Sequence, residues 1–132
     1  MGVLEGKVLV ITGASRGFGL AVARAAAGEG ARLVLASRSE EAIAQAVTEL
    51  QGTGAEATGM ACDVGELEQV EALGEHAERT FGRFDVWINN AGYAAPYGPA
   101  MHVAPAAFLR VIDTNILGSY HGSLVALRRF LP

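Results

Sequence analysis

The residues best equipped for chemistry lie in one short stretch, Ile11 to Gly19, reading ITGASRGFG. It follows an apolar run and opens a helical one, the context in which a glycine-rich turn acquires physical meaning. Gly13 lets the chain leave a strand in a tight turn. Gly17 lets the backbone approach a pyrophosphate with no side chain between them, and Gly19 permits close packing of helix on strand. Unpaired N–H groups at the helix start, together with the helix dipole, favour bound phosphate. Ser15, Arg16 and Phe18 fill the rest of the turn. The competing reading is a glycine-rich connection that binds nothing.

About twenty residues further on, a dinucleotide site that selects a free ribose 2′-OH carries an acidic residue. Here the chain reads Ala36-Ser37-Arg38, with no carboxylate. Arg38 can meet a 2′-phosphate as a planar fork, with Ser37 as a hydroxyl donor. That favours NADP (NADPH) and makes NAD the lesser candidate. Glu40 and Glu41 are the rival ribose carboxylates, although first-turn acids favoured by the helix dipole explain them better. For Arg16 and Arg38 the alternative is plain solvated charge.

These groups need elements to hold them. Lys7–Thr12 (KVLVIT) is a continuous β-branched run and reads as a doubly buried strand. A helix over Gly17–Gly28 follows, stopped by Gly28 and Gly30, then a second strand over Arg32–Ser37. Ser39 is a candidate N-cap for a helix running to about Leu50. A third strand lies within Glu56–Asp63, a third helix covers Glu66–Phe81, and Phe84–Asn89 (FDVWIN) is a fourth strand with Trp87 in the core. After a loop from Asn90 to His102, Ala104-Pro105 opens a last helix, kinked, reaching Phe130. Strands alternating with helices predict an α/β fold with a parallel sheet covered on both faces.

With Thr12 in front, the turn resembles the Thr-Gly-x-x-x-Gly-x-Gly motif of the short-chain dehydrogenase/reductase family. Asn89–Gly92 (NNAG) stands where that family has its Asn-Asn-Ala-Gly. Cys62–Val64 (CDV) stands where its Asp-Val pair flanks the adenine, and Asp113–Gly118 (DTNILG) where its active-site Asn lies, here Asn115. The resemblance runs from end to end. It implies a Rossmann-type doubly wound parallel sheet of order 3-2-1-4 over residues 1–132, truncated before the fifth strand, as the N-terminal part of a larger fold. It implies cofactor contacts at Gly13, Ser15, Arg16, Gly17, Phe18, Gly19, Ser37, Arg38, Asp63, Val64, Asn90, Ala91 and Gly92. Arg16 resembles the second basic residue of NADP-preferring members. The implied activity is hydride transfer between NADPH and a small carbonyl or alcohol.

One departure is large. The family's acid/base pair is Tyr-x-x-x-Lys, in which Lys lowers the Tyr pKa. Four residues after Tyr93, Tyr97 and Tyr120 stand Tyr97, Met101 and Leu124, and Lys7 is the sole lysine. Of the family's catalytic set only Asn115 remains, so the chain alone is expected to be inactive. A standalone dinucleotide-binding or interaction module is the alternative. A methyltransferase-type fold is disfavoured, since it wants an acid near Ser37 and Arg38.

Composition narrows the rest. With 132 residues, 51% of them hydrophobic, the chain can bury a core. Its net charge of −4 argues against a nucleic-acid partner. A lone Cys62 excludes an internal disulfide and suits the reducing cytoplasm. No apolar run reaches the ~18 residues of a membrane span, and no signal peptide is read. Gly6 stands where a myristoylation motif wants Ser or Thr. His76, His102, His121 and Cys62 show no metal-ligand spacing. Mean hydropathy is +0.28, high for so small a chain. The last helix repeats apolar residues at Phe108, Ile112, Ile116, Tyr120, Leu124, Leu127 and Leu131, with Leu109, Leu117, Val125 and Phe130 off that stripe. The second face wants the rest of a larger fold or another subunit, and in the family this helix contributes to a homo-oligomer interface.

Overall fold

The computed structural model describes residues 2–132; Met1, and with it the first position of the proposed 1–132 unit, lies outside the described residues. Four strands, β1 (Val8–Thr12), β2 (Arg32–Ser37), β3 (Ala57–Ala61) and β4 (Val86–Ile88), form one parallel sheet in the order β3-β2-β1-β4. The fold is Rossmann-like, with the expected 3-2-1-4 order. Helix α1 (Gly17–Gly28) joins β1 to β2, α2 (Glu40–Gly52) joins β2 to β3, and α3 (Leu67–Phe81) joins β3 to β4. After a 3₁₀ turn at Ala100–His102 comes one long helix in three parts: α4 (Pro105–Val111), a π-helical stretch (Ile112–Leu117) and α5 (Gly118–Phe130). The sequence predicts a kink in this helix without a position; the π-helical stretch is where its regular α-helical geometry is interrupted.

The strand alternation sorts side chains onto two faces. Leu9, Ile11, Leu33 and Leu35 face α1 and α2, meeting Leu20, Ala23, Ile43 and Leu50. Val8, Val10, Val34 and Ala36 face the other way, onto Val70, Leu73, Ala77 and Val125. All five residues of β1 are buried, as a strand covered on both faces requires. Ser39 caps α2, its Oγ accepting from the Ala42 N–H at 3.1 Å. The chain builds β2 and β3 on one side of β1 and then returns to place β4 on the other. The strand order therefore reverses between β1 and β4, and ligands of open α/β sheets bind at such a crevice.

Two expectations need correction. Trp87 is half-buried, not core; its Nε1 donates to Asn89 Oδ1 at 2.9 Å. The larger correction concerns the last helix. Phe108, Ile116, Tyr120, Leu127 and Leu131 of the apolar stripe are exposed, while Val125, off that stripe, is fully buried. The inward face is instead Thr114, Gly118, His121, Gly122, Val125 and Ala126. Small residues win because the backbones lie close together. A Cβ at Gly74 of α3 would stand 2.9 Å from Val125 Cγ1, and one at Gly118 would run into Val64. Among the described residues no helix is long and apolar enough to cross a membrane.

Candidate functional site

Thr12 ends β1 and organises everything beyond it. Its register partner on β2 is Ala36, while β4 stops one pair earlier, at Ile11↔Ile88. From there the Thr12 hydroxyl replaces the ladder. It accepts from the Asn90 and Ala91 N–H groups, both at 3.1 Å, and donates to the Ile88 carbonyl at 3.4 Å. The β1 and β4 chains part at this point. Asn90 Nδ2 reaches back across the gap to the Gly13 carbonyl, 3.1 Å away.

The glycines divide the work. Gly13 has φ +64°, and a Cβ there would meet the Ala91 backbone at 2.8 Å. Gly19 is buried, and its Cβ would collide with the Gly13 carbonyl and the Asn90 amide. Gly17 is different: at φ +58° it is exposed, and a Cβ on it would meet nothing within 4 Å. Gly17 lines a cleft. No side chain caps α1, because Arg16 occupies the N-cap position in extended conformation and has no acceptor to offer. The first N–H groups of α1 thus remain open to an anion, whereas at the start of α2 the Ala42 N–H is engaged by Ser39.

A cleft of about 810 Å³ opens over these strand ends. The glycine turn from Gly13 to Phe18 forms one wall; Ser37 and Arg38 close one end, and Cys62, Asp63 and Val64 form the side beside β3. Asn90, Ala91 and Gly92 form the opposite side, and Arg110 and Thr114 of the last helix also line the cleft. Arg16, Arg38 and Arg110 line it against the single carboxylate of Asp63, and among the described residues none of the three has an ion-pair partner. This concentration of positive charge in a chain of net charge −4 suits a polyanion.

A family model for short chain dehydrogenase matches residues 7–131. The chain belongs to the short-chain dehydrogenase family. The uncharacterized oxidoreductase YxnA of Bacillus subtilis is 43% identical over 127 residues, which cover 96% of this chain and 35% of that protein. A short-chain dehydrogenase/reductase from Burkholderia phymatum, solved in complex with NAD, shares the fold at TM-score 0.92 and 39% identity over 98% of this chain and 46% of that one. A metagenomic short-chain oxidoreductase, solved in complex with NADP, does so at TM-score 0.88 and 35% identity over 96% and 57%. The chain thus spans between about a third and just over half of the length of these relatives.

In this short-chain dehydrogenase sequence, every residue expected at the cofactor except Gly19 lines the cleft, and Asn115, expected as a catalytic residue, does not. Gly19 lies beneath it as packing. Asn115 spends its side chain on the backbone after Gly92: Oδ1 accepts from the Tyr93 N–H at 2.8 Å, and Nδ2 donates to the Tyr93 carbonyl at 2.9 Å. It sits within the π-helical stretch. Asp63 uses Oδ1 to accept from the Gly65 N–H at 2.9 Å, while its own N–H donates to Gln69 Oε1 at 2.8 Å. The Ser37 hydroxyl donates to the Ser39 carbonyl at 3.2 Å. Cys62 is buried, and burial pushes its thiol up to about 11, with the Asp63 charge adding to the effect. Such a thiol is inert.

Sequence reasoning missed Arg110 and Thr114 as cleft residues. Their i, i+4 spacing, which puts both on one helix face, was the available signal. It also treated Thr12 only as part of a motif. Thr12→Val should leave the Asn90 and Ala91 N–H groups unpaired and cost about 1–3 kcal/mol, read from urea unfolding. Thr12→Ser should retain most of the stability, and a valine variant as stable as the parent would dismiss the hydroxyl's role.

Proposed function

We propose that residues 1–132 form the NAD(P)-binding unit of an oxidoreductase that transfers hydride between NADPH and a carbonyl or alcohol, with NADP(H) preferred over NAD(H). One observation carries the preference: the β2 end of the cleft presents Arg38, with Arg16 on the adjoining turn and no carboxylate in between. An acid there would repel a 2′-phosphate, and this pair attracts it.

The chain's own groups take distinct parts. The glycine turn and the uncapped start of α1 hold the diphosphate. Arg38 and Arg16 take the 2′-phosphate, and Ser37 joins them by turning its hydroxyl from the Ser39 carbonyl. Asp63 and Val64 flank the adenine, and Asn90, Ala91 and Gly92 border its ribose. Asn115 anchors the loop that follows. Bound in this cleft, NADPH supplies the hydride. The setting is cytoplasmic, and two copies associate through the exposed apolar side of the last helix, where Phe108, Ile116 and Tyr120 lie. A second reading, a dinucleotide-binding module without catalysis, draws support from Lys7, the chain's sole lysine, which precedes β1 at the sheet end opposite the cleft.

Calorimetric titration tests the preference. NADPH should bind more tightly than NADH. Arg38→Asp should weaken NADPH by about 10- to 100-fold, the worth of a charge-assisted hydrogen bond, and reverse the order. Equal affinities in the parent chain would sink the preference.

A further inference from the structure

Arg110 is the one cleft-lining arginine without a part in the reading above. It stands one helical turn before Thr114, and both line the cleft. Its guanidinium lies over the Tyr93 ring, 4.5 Å from the centroid. Tyr93 is itself held, since Asn115 bonds both its backbone N–H and its carbonyl. A guanidinium stacked by its face keeps its edge N–H groups free to donate. With no carboxylate partner among the described residues, those donors are uncommitted. Stacking also removes part of the rotamer freedom that a free arginine would lose on binding.

We infer that Arg110 is a third cationic contact for the bound dinucleotide, donating to the diphosphate from the wall facing the glycine turn, with Tyr93 as its positioning residue. The inference rests on the cofactor reading above and adds a specific group to it. The sheet order argues for the diphosphate. Arg38 extends from β2, whereas Arg110 is moored to the segment leaving β4, and β1 lies between them. Two strand spacings amount to roughly 10 Å, which separates the Arg110 anchor from the 2′-phosphate end. Its contact is therefore one that NAD and NADP share.

The test uses the 132-residue chain with NADPH, NADH and ADP-ribose as probes. Arg110→Gln should weaken all three by a similar factor, about tenfold for one charged hydrogen bond, and leave the NADPH/NADH ratio unchanged. The deficit should shrink as salt is raised, because the lost interaction is ionic. Tyr93→Phe should bind like the parent, and Tyr93→Leu should lose about threefold through a less ordered arginine, with thermal melts showing that the variant is folded. Unchanged binding in Arg110→Gln would overturn the inference while leaving the cofactor reading intact. So would a loss confined to NADPH, which moves the contact to the 2′-phosphate, or one that spares ADP-ribose, which moves it to the nicotinamide half. A folded Tyr93→Leu that binds like the parent would overturn the positioning role. If the parent chain binds none of the three probes, the cofactor reading itself fails and this inference falls with it.

Discussion

Gly17→Val should abolish dinucleotide binding while the strands and helices persist. A Cβ at Gly17 meets no protein atom within 4 Å, and Gly17 lines the cleft, so a valine side chain there would compete with a bound diphosphate for space. The backbone adds a second effect, because φ is +58° there. An L-residue in that region costs roughly 1–2 kcal/mol, and a branched one is strained further. Gly17→Asn separates the two effects, since asparagine tolerates this conformation yet still projects a side chain into the cleft. The expected result is a near-parental melting temperature for the asparagine variant, a lower one for valine, and loss of at least about 100-fold in NADPH affinity for both, given that the turn supplies several charge-assisted hydrogen bonds at once. A folded valine variant that binds NADPH as the parent does would move the phosphate site elsewhere.

The 132-residue chain, supplied with NADPH and a reactive carbonyl, should show no reduction above the rate without protein. Carbonyl reduction needs a proton donor beside the oxygen, and a positioned general acid contributes ~10²–10⁴-fold. No tyrosine here has a lysine to tune it. Lys7 precedes β1 at the end of the sheet away from the cleft, about 16 Å from Thr12 along an extended strand. Tyr97 is fully exposed, Tyr120 largely so, and Tyr93 lies beneath Arg110. The check is NADPH consumption with product identified, repeated across successive purification steps. A rate that survives purification would overturn the expectation. Its disappearance in Tyr93→Phe, Tyr97→Phe or Tyr120→Phe would then name the acid.

Much of the architecture was legible because local and long-range demands agree in the first 90 residues. The apolar runs of β1 and β2 read as strands covered on both faces, and at Gly13 and Gly19 of the turn a Cβ would clash with neighbouring backbone or side chain. Ser39 signals the start of α2 by its chemistry alone. These features depend on backbone conformation and immediate neighbours, which the chain order specifies. The placement of Ser37, Arg38, Asp63 and Asn90 around one cleft follows from the same logic, since each ends a parallel strand or lies just beyond one, and those ends lie together.

The last helix was decided by tertiary packing. Its large apolar residues recur at helical spacing and suggest that they face inward, yet the buried side is Gly118, His121, Gly122 and Val125. Periodicity weighs apolar bulk, whereas a helix lying against α3 and β4 at close range is selected for small volume. The same holds for the polar groups that shape the site. That the Thr12 hydroxyl would stand in for a strand ladder, that Asn115 would tie down Tyr93, and that Tyr93 would in turn carry Arg110 depend on residues 22 to 79 positions apart meeting in space or on a side chain crossing from helix to loop. The strands, the glycine turn and the basic character of the β2 end follow from chain order and residue type alone. Only the assembled fold decided which helix face is inside and which donors remain free, because both follow from distances between elements.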